Sequence, residues 1–129
     1  MPISVENALK DTQVTLKVLK ALTENSFDSI LIADATEDSK IIYANKAFKK
    51  LTGYDPREVL GKTPGILQGA ATDKAVITRL SKCLKKNTTF EGKAINYRKD
   101  GTPFIMHWRV LPVSVGRQTK VWVAIQRAG

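Results

Sequence analysis

The chain has 129 residues, enough for one domain with a sizeable apolar core and no need of metals or disulfides. A single cysteine, Cys83, excludes an internal disulfide and fits a reducing compartment. The formal charge of +9 raises the question of nucleic acid, but the lysines are scattered along amphipathic segments such as "LKVLKAL", "NKAFKKL" and "SKCLKKN", with no zinc-finger spacing and no recognition helix. A solvated basic surface explains them, so no nucleic-acid partner is expected.

The first residues, "MPISVENALK", lack the basic-then-apolar pattern of a secretory signal, and no apolar run approaches a membrane span. The expected setting is cytoplasmic, with no membrane partner. Ser4 can cap a helix running to about Leu22, with Val5, Ala8, Leu9, Leu16, Leu19 and Leu22 as its apolar stripe. This sets residues 1–24 apart as an amphipathic cap or dimerisation helix and leaves 25–129 as the main domain.

"DSILIADA" reads as a buried strand, "EDSK" as a turn and "IIYA" as the returning strand of a hairpin. Asn45 caps a short helix that Gly53 stops, and Pro56 opens another. Thr72 or Asp73 starts the longest helix of the main domain, with Ala75, Val76, Leu80, Cys83 and Leu84 on one face and Asn87 as its stop. Three strands close the chain, at about 91–98, 103–113 and 120–126, joined by "KDGT" and "SVGRQT". The order predicts an α+β domain: one antiparallel sheet with helices on one face.

Period-two alternation in the last three strands puts Ala94, Asn96, Phe104, Met106, Trp108, Trp122, Ala124 and Gln126 inward. The opposite face carries Ile95, Tyr97, Ile105, Leu111, Val113, Val121, Val123 and Ile125, with His107 and Arg109 its only polar members. So apolar an outer face needs a cover, and the N-terminal helix, from the same subunit or a partner, is the obvious one; the expectation is a homodimer. Asn96 and Gln126 are inward amides, and buried amides need partners.

The segments "IIYANKAFKKLTGYDPREVLGKTPGILQGAATD", "INYRKDGTPF" and "VWVAIQ" together resemble the PAS superfamily and, within it, the LOV-type light sensors, over residues 28–126. The resemblance implies a PAS fold, a five-stranded antiparallel sheet with a ligand cavity under helices, here with the N-terminal helix packing on the other face. It also implies a sensory role in signal transduction. It implies a flavin, FMN or FAD, with Leu67, Gln68, Asn96 and Gln126 as the matching cofactor-binding positions. Light-sensing members carry Gly-x-Asn-Cys-Arg-Phe-Leu-Gln-Gly, whose cysteine bonds the flavin; here Thr63, Pro64 and Gly65 stand at the asparagine, cysteine and arginine, so no adduct can form. Ser81 matches the second phosphate-binding arginine, Met106 replaces an asparagine, and Trp108 stands where leucine is common.

Two readings of the pocket stay open. In one, Gln68, Asn96 and Gln126 bond the polar edge of a flavin. In the other, the amides satisfy one another and a water while Met106, Trp108 and Trp122 fill the space, leaving a ligand-free interaction module. Haem is disfavoured because His107, the sole histidine, points outward; metal-ligand clusters and catalytic motifs are lacking, so no enzyme is expected.

Overall fold

The structure is a computed structural model that describes residues 10–129. Ser4, Val5, Ala8 and Leu9 of the expected first helix lie outside the described residues. Helix α1 spans Thr12–Glu24 and is capped by Asp11, whose carboxylate accepts from the backbone N–H groups of Gln13 and Val14. A cap therefore falls inside the stretch predicted as one continuous helix, because an aspartate competes for exactly those free N–H groups that a helix start leaves.

The sheet contains β1 (Ser29–Asp34), β2 (Ile41–Ala44), β3 (Phe90–Tyr97), β4 (Pro103–Val115) and β5 (Gln118–Ala128) in the order β2-β1-β5-β4-β3. Every pairing is antiparallel. The first hairpin turns on Asp34, which accepts from the backbone N–H and the hydroxyl of Thr36. The last hairpin is tighter than "SVGRQT" suggests: the strands run to Val115 and from Gln118, and Gly116 supplies the turn with φ 61°.

Between β2 and β3 come α2 (Lys46–Thr52), α3 (Pro56–Val59), a 3-10 turn (Pro64–Leu67) and α4 (Lys74–Lys85). Their ends follow the sequence. Asn45 caps α2 and Gly53 ends it at φ 80°; Asp55 and Glu58 form a capping box around Pro56; Asp73 caps α4 and Asn87 follows it at φ 57°. On α4 the core-facing residues are Val76, Ile77, Leu80, Cys83 and Leu84; Ala75, expected on that face, is exposed and Ile77 takes its place.

The core lies between these helices and the inward face of the sheet. Phe48, Phe90, Leu31, Ile41, Val59 and Leu67 are fully enclosed, and Ala94, Phe104, Met106, Trp108 and Ala124 are buried as the alternation predicts. The expectation that α1 packs on the other face from within the same chain is not met over the described residues: α1 buries none of them. Its C-terminal end is tied to the edge strand β2, where the Tyr43 hydroxyl donates to Glu24 and lies 2.9 Å from the Thr23 hydroxyl oxygen. A tether at one end cannot lay the helix across the sheet, and Ile105 and Val113 stay about half exposed on the outer face.

Asn45 organises this corner. It is wholly buried. Its Oδ1 accepts from Ile30 N (2.9 Å) and Phe48 N (3.2 Å), and its Nδ2 donates to Thr23 O (2.7 Å) and Asp28 O (3.1 Å). Four bonds use the full capacity of the carboxamide and join α1, β1 and α2 at one point. Replacing Asn45 with alanine strands the Ile30 N–H and the carbonyls of Thr23 and Asp28, so urea unfolding should show a loss of about 2–4 kcal/mol; a loss under about 0.5 kcal/mol would contradict this role.

Several surface carboxylates are held below their ordinary range: Asp34 by the hydroxyl and N–H of Thr36, Asp55 by the N–H and guanidinium of Arg57, Glu58 by the Lys99 ammonium, and Asp100 by the hydroxyl and N–H of Thr102. A lowered folded pKa adds stability above the unfolded value and loses it as pH falls through the folded one. The urea midpoint should therefore decline as pH drops below about 4. Asp55→Asn, which keeps a cap but cannot titrate, should flatten that slope; an unchanged slope would count against the assignment.

Candidate functional site

The candidate site is a cavity between the inward face of the sheet and the helical side. Leu31, Ala33, Met106, Val110, Ala124 and Gln126 rise from the sheet, Leu80 and Leu84 descend from α4, and Pro64, Leu67, Gln68 and Ser39 stand at its loop side. Asn96, Trp108 and Trp122 complete the lining. All four positions expected to bind a cofactor, Leu67, Gln68, Asn96 and Gln126, thus face one space. They differ in burial: Leu67, Asn96 and Gln126 are buried, while Gln68 is exposed at the rim.

The two inward amides do not lie on adjacent strands. β4 runs between them, with Asn96 opposite Phe104 and Gln126 opposite Trp108. They do not bond each other. Gln126 is 3% exposed and accepts at Oε1 from the hydroxyl of Ser29 (3.0 Å), its register partner on β1. Asn96 is 2% exposed and donates at Nδ2 to Ala94 O in its own strand, at a long 3.3 Å. The second polar atom of each carboxamide, Nε2 of Gln126 and Oδ1 of Asn96, has no hydrogen bond to another described residue. Among the described residues no fully enclosed side-chain N or O lacks a partner, so these two atoms must open on accessible space.

Trp108 dominates the interior. It is 5% exposed, and its ring centroid lies 5.1 Å from that of Phe90 at a 51° tilt. The Arg79 guanidinium sits 4.6 Å from the centroid of the Phe90 ring, a cation–π contact. Arg79 is the arginine nearest Ser81, and its place over Phe90 commits it to this contact. Gly92, the register partner of Trp108 on β3, makes room: a Cβ there would come within 2.7 Å of Phe90 and 2.6 Å of Arg79 Nη2. Sequence reading passed over Ser29, Phe90 and Gly92; the inward phase of Phe90 and Gly92 on β3 was the available signal.

The loop before α4 is latched to β3. Tyr97, expected on the outer face, accepts at its hydroxyl from Ala71 N (2.8 Å) and lies across Gly69, where a Cβ would fall 2.4 Å from its ring. β3 is an edge strand, so its last side chain can wrap around the edge toward the loop. Thr72 reinforces the latch, donating to Ile95 O (2.7 Å) and accepting from Gly69 N (3.0 Å).

The cavity holds about 90 Å³. Pockets for drug-sized ligands and cofactors run to about 300–1,000 Å³. The fit test for a flavin nucleotide therefore fails on three counts. The space is too small for a three-ring system, Met106 sits where an amide is wanted, and Gly65 and Ser81 bring no guanidinium to pair with a phosphate. The 3-10 turn starts on Pro64, which offers no thiol, and Cys83 packs from α4 against the core. His107 lies on the outer face, 3.0 Å from Glu91 Oε2. Glu91 is held below its ordinary range chiefly by Arg109 and then by His107. Among the described residues no group of three or more His, Cys, Asp or Glu side chains could hold a metal ion.

Comparison with known proteins agrees with this geometry. The PAS domain family profile matches residues 28–127. Phototropin-2 of Oryza sativa subsp. japonica is 40% identical over 97 residues, which cover 74% of this chain and 10% of that protein. The blue-light photoreceptor of Listeria monocytogenes is 33% identical over 110 residues, 85% of this chain and 44% of that one. The chain therefore spans less than half the length of these relatives. Among solved structures, an RNA-binding Light-Oxygen-Voltage receptor superposes with a TM-score of 0.86 at 26% identity, covering 99% of this chain and 36% of its own.

Gly92→Ala tests the stack. The added methyl must push Phe90 toward Trp108, so stability should fall by about 1–3 kcal/mol and tryptophan emission should shift. A variant with unchanged stability and emission would show that Trp108 is not held in this way.

Proposed function

The chain belongs to the PAS domain family, and from that premise we propose that it is a sensory and regulatory module of a signalling protein, reading the state of its interior without covalent photochemistry and passing it to a partner through a dimer. The observation that carries this reading is the pair of buried carboxamides, each half-satisfied, that both line one cavity. An inert core satisfies or excludes such groups. A cavity that keeps a donor and an acceptor available is equipped to register what enters it.

A contiguous route leads out. Gln126 holds Ser29, the first residue of β1. Asn45 grips the chain on both sides of that serine, at Asp28 O and Ile30 N, and also holds Thr23 O near the end of α1. Arg127, next to Gln126, pairs with Asp28 at 2.6 Å. A change in the bonding of Gln126 is thus felt within a few residues at the root of α1. The physical requirement for such a relay is an element whose position both ends bias, and α1, bonded at its C-terminal root to Asn45 and Tyr43, is the element we assign to it.

The partner is read as a second copy. On α1 the polar residues Gln13, Lys17, Lys20 and Glu24 share one arc, and Val14, Val18, Leu19, Leu22 and Leu16 occupy the rest. Leu16, Leu19 and Leu22 are each more than half exposed. This surface and the uncovered outer face of the sheet call for a cover, and two-fold pairing supplies both at once. No helix among the described residues is long and apolar enough to cross a membrane. The cytoplasm is the setting we assign. The RNA binding named for one structural neighbour is not carried over, because the exposed lysines are dispersed over several elements. No residue set suited to catalysis supports an enzymatic role.

Light scattering should give a mass of two chains at tens of micromolar, and the triple change Leu16→Glu, Leu19→Glu, Leu22→Glu should give one; a single-chain mass for the unaltered protein would overturn the dimer. Hydrogen exchange tests the relay. Gln126→Leu should speed exchange at residues 23–30, whereas an effect confined to β5 and its neighbours would exclude this route.

A further inference from the structure

We propose that Trp108 is the residue that sets ligand size in this pocket, excluding a three-ring flavin and leaving room for a small, neutral molecule of at most one ring that carries a single hydroxyl or carbonyl. The inference rests on the sensory reading above and names the ligand class of that same cavity.

Four observations converge. First, the indole is boxed. Gly92 flanks it in register on β3 and Gln126 on β5, and Phe90 folds into the space a side chain at 92 would fill. Arg79 then holds Phe90 down from above. The indole therefore cannot swing toward β3 to make way for a larger ring; its position is fixed by packing, and interiors resist such displacement.

Second, the remaining volume, about 90 Å³, is below the roughly 150 Å³ of an apolar cavity known to accept benzene. A single small ring is the upper limit, reached with modest adjustment of a flexible neighbour such as Met106. Third, the lining is mostly apolar: Leu31, Leu67, Leu80, Leu84 and Val110 carry no polar side-chain atom. No cation lines the cavity to receive a phosphate or carboxylate. A charged ligand would lose its hydration with nothing in return.

Fourth, among the described residues the buried amides leave one donor, on Gln126, and one oxygen, on Asn96, without a hydrogen bond, beside the equally unbonded indole N–H groups of Trp108 and Trp122. A hydroxyl can serve either, since it both donates and accepts, and a carbonyl can accept from the first. A ligand bonded to Gln126 would compete with Ser29 for the same carboxamide, which is where the proposed relay begins.

Phenol and riboflavin are the probes, the second because it carries the three-ring system without a phosphate. Binding is followed by calorimetry and, for riboflavin, by quenching of its emission, on the unaltered chain and on Trp108→Leu and Trp108→Phe. Saturable phenol binding with no riboflavin binding is expected for the unaltered chain. Whichever variant retains the native circular dichroism should bind riboflavin at least about tenfold more tightly than the unaltered chain, as the space of the removed ring atoms opens. Riboflavin binding by the unaltered chain as tight as by the variants would overturn the role of Trp108, as would folded variants that gain none. Failure of phenol to bind would overturn the ligand class. The exchange and light-scattering measurements on the relay and the dimer use no ligand, so either reading can fail while the other stands.

Discussion

The carboxamide of Asn45 is the constraint on which the rest of the structure depends. With both hydrogens and both lone pairs used, it fixes where α1 ends, where β1 begins and where α2 starts. Next to that anchorage, the register of β1 against β5 brings Ser29 opposite Gln126. A satisfied polar cluster of this kind is costly to break and specifies a single arrangement.

Against that rigid corner stands a cavity whose polar groups are only half used. The contrast is physically informative. Burying a carboxamide with one unmet atom costs free energy that an apolar residue would not. The fold retains two such residues, on strands separated by β4, while lining the rest with aliphatic groups and two tryptophans. Photochemical relatives are recognised by sequence, yet the wall residue that would bear a thiol is Pro64, and the indole of Trp108 lines a cavity of only about 90 Å³. The fold is shared with light sensors; the chemistry of the interior is this chain's own.

How much of this was legible in the sequence depended on the range of the interaction. Local rules worked where the deciding contact is local: Asn45, Gly53 and Asp73 cap or end helices through bonds to residues two to four away, and alternation assigned Ala94, Asn96, Met106, Trp108 and Gln126 to the inner face. They failed where a distant partner decides. Ser29 looks like an ordinary strand residue until the β1–β5 register places it against Gln126, 97 residues away. Asn96 and Gln126 share a face, but only the strand order shows that β4 lies between them. Tyr97 has the outward phase and still turns to the loop, because β3 is an edge. The cover expected from α1 required a long-range docking that its tether to β2 does not provide.

The central claim is that Gln126 and Asn96 are enclosed with Trp108 in a closed interior, with Gln68 at its exposed rim as a built-in control. Side-chain amide NMR on uniformly 15N-labelled protein measures this directly. The account predicts slow solvent exchange for the Gln126 and Asn96 NH2 groups, Overhauser contacts from Gln126 to the Trp108 ring, and fast exchange for Gln68. Exchange of Gln126 and Asn96 as rapid as that of Gln68, with no contact to the indole, would contradict it.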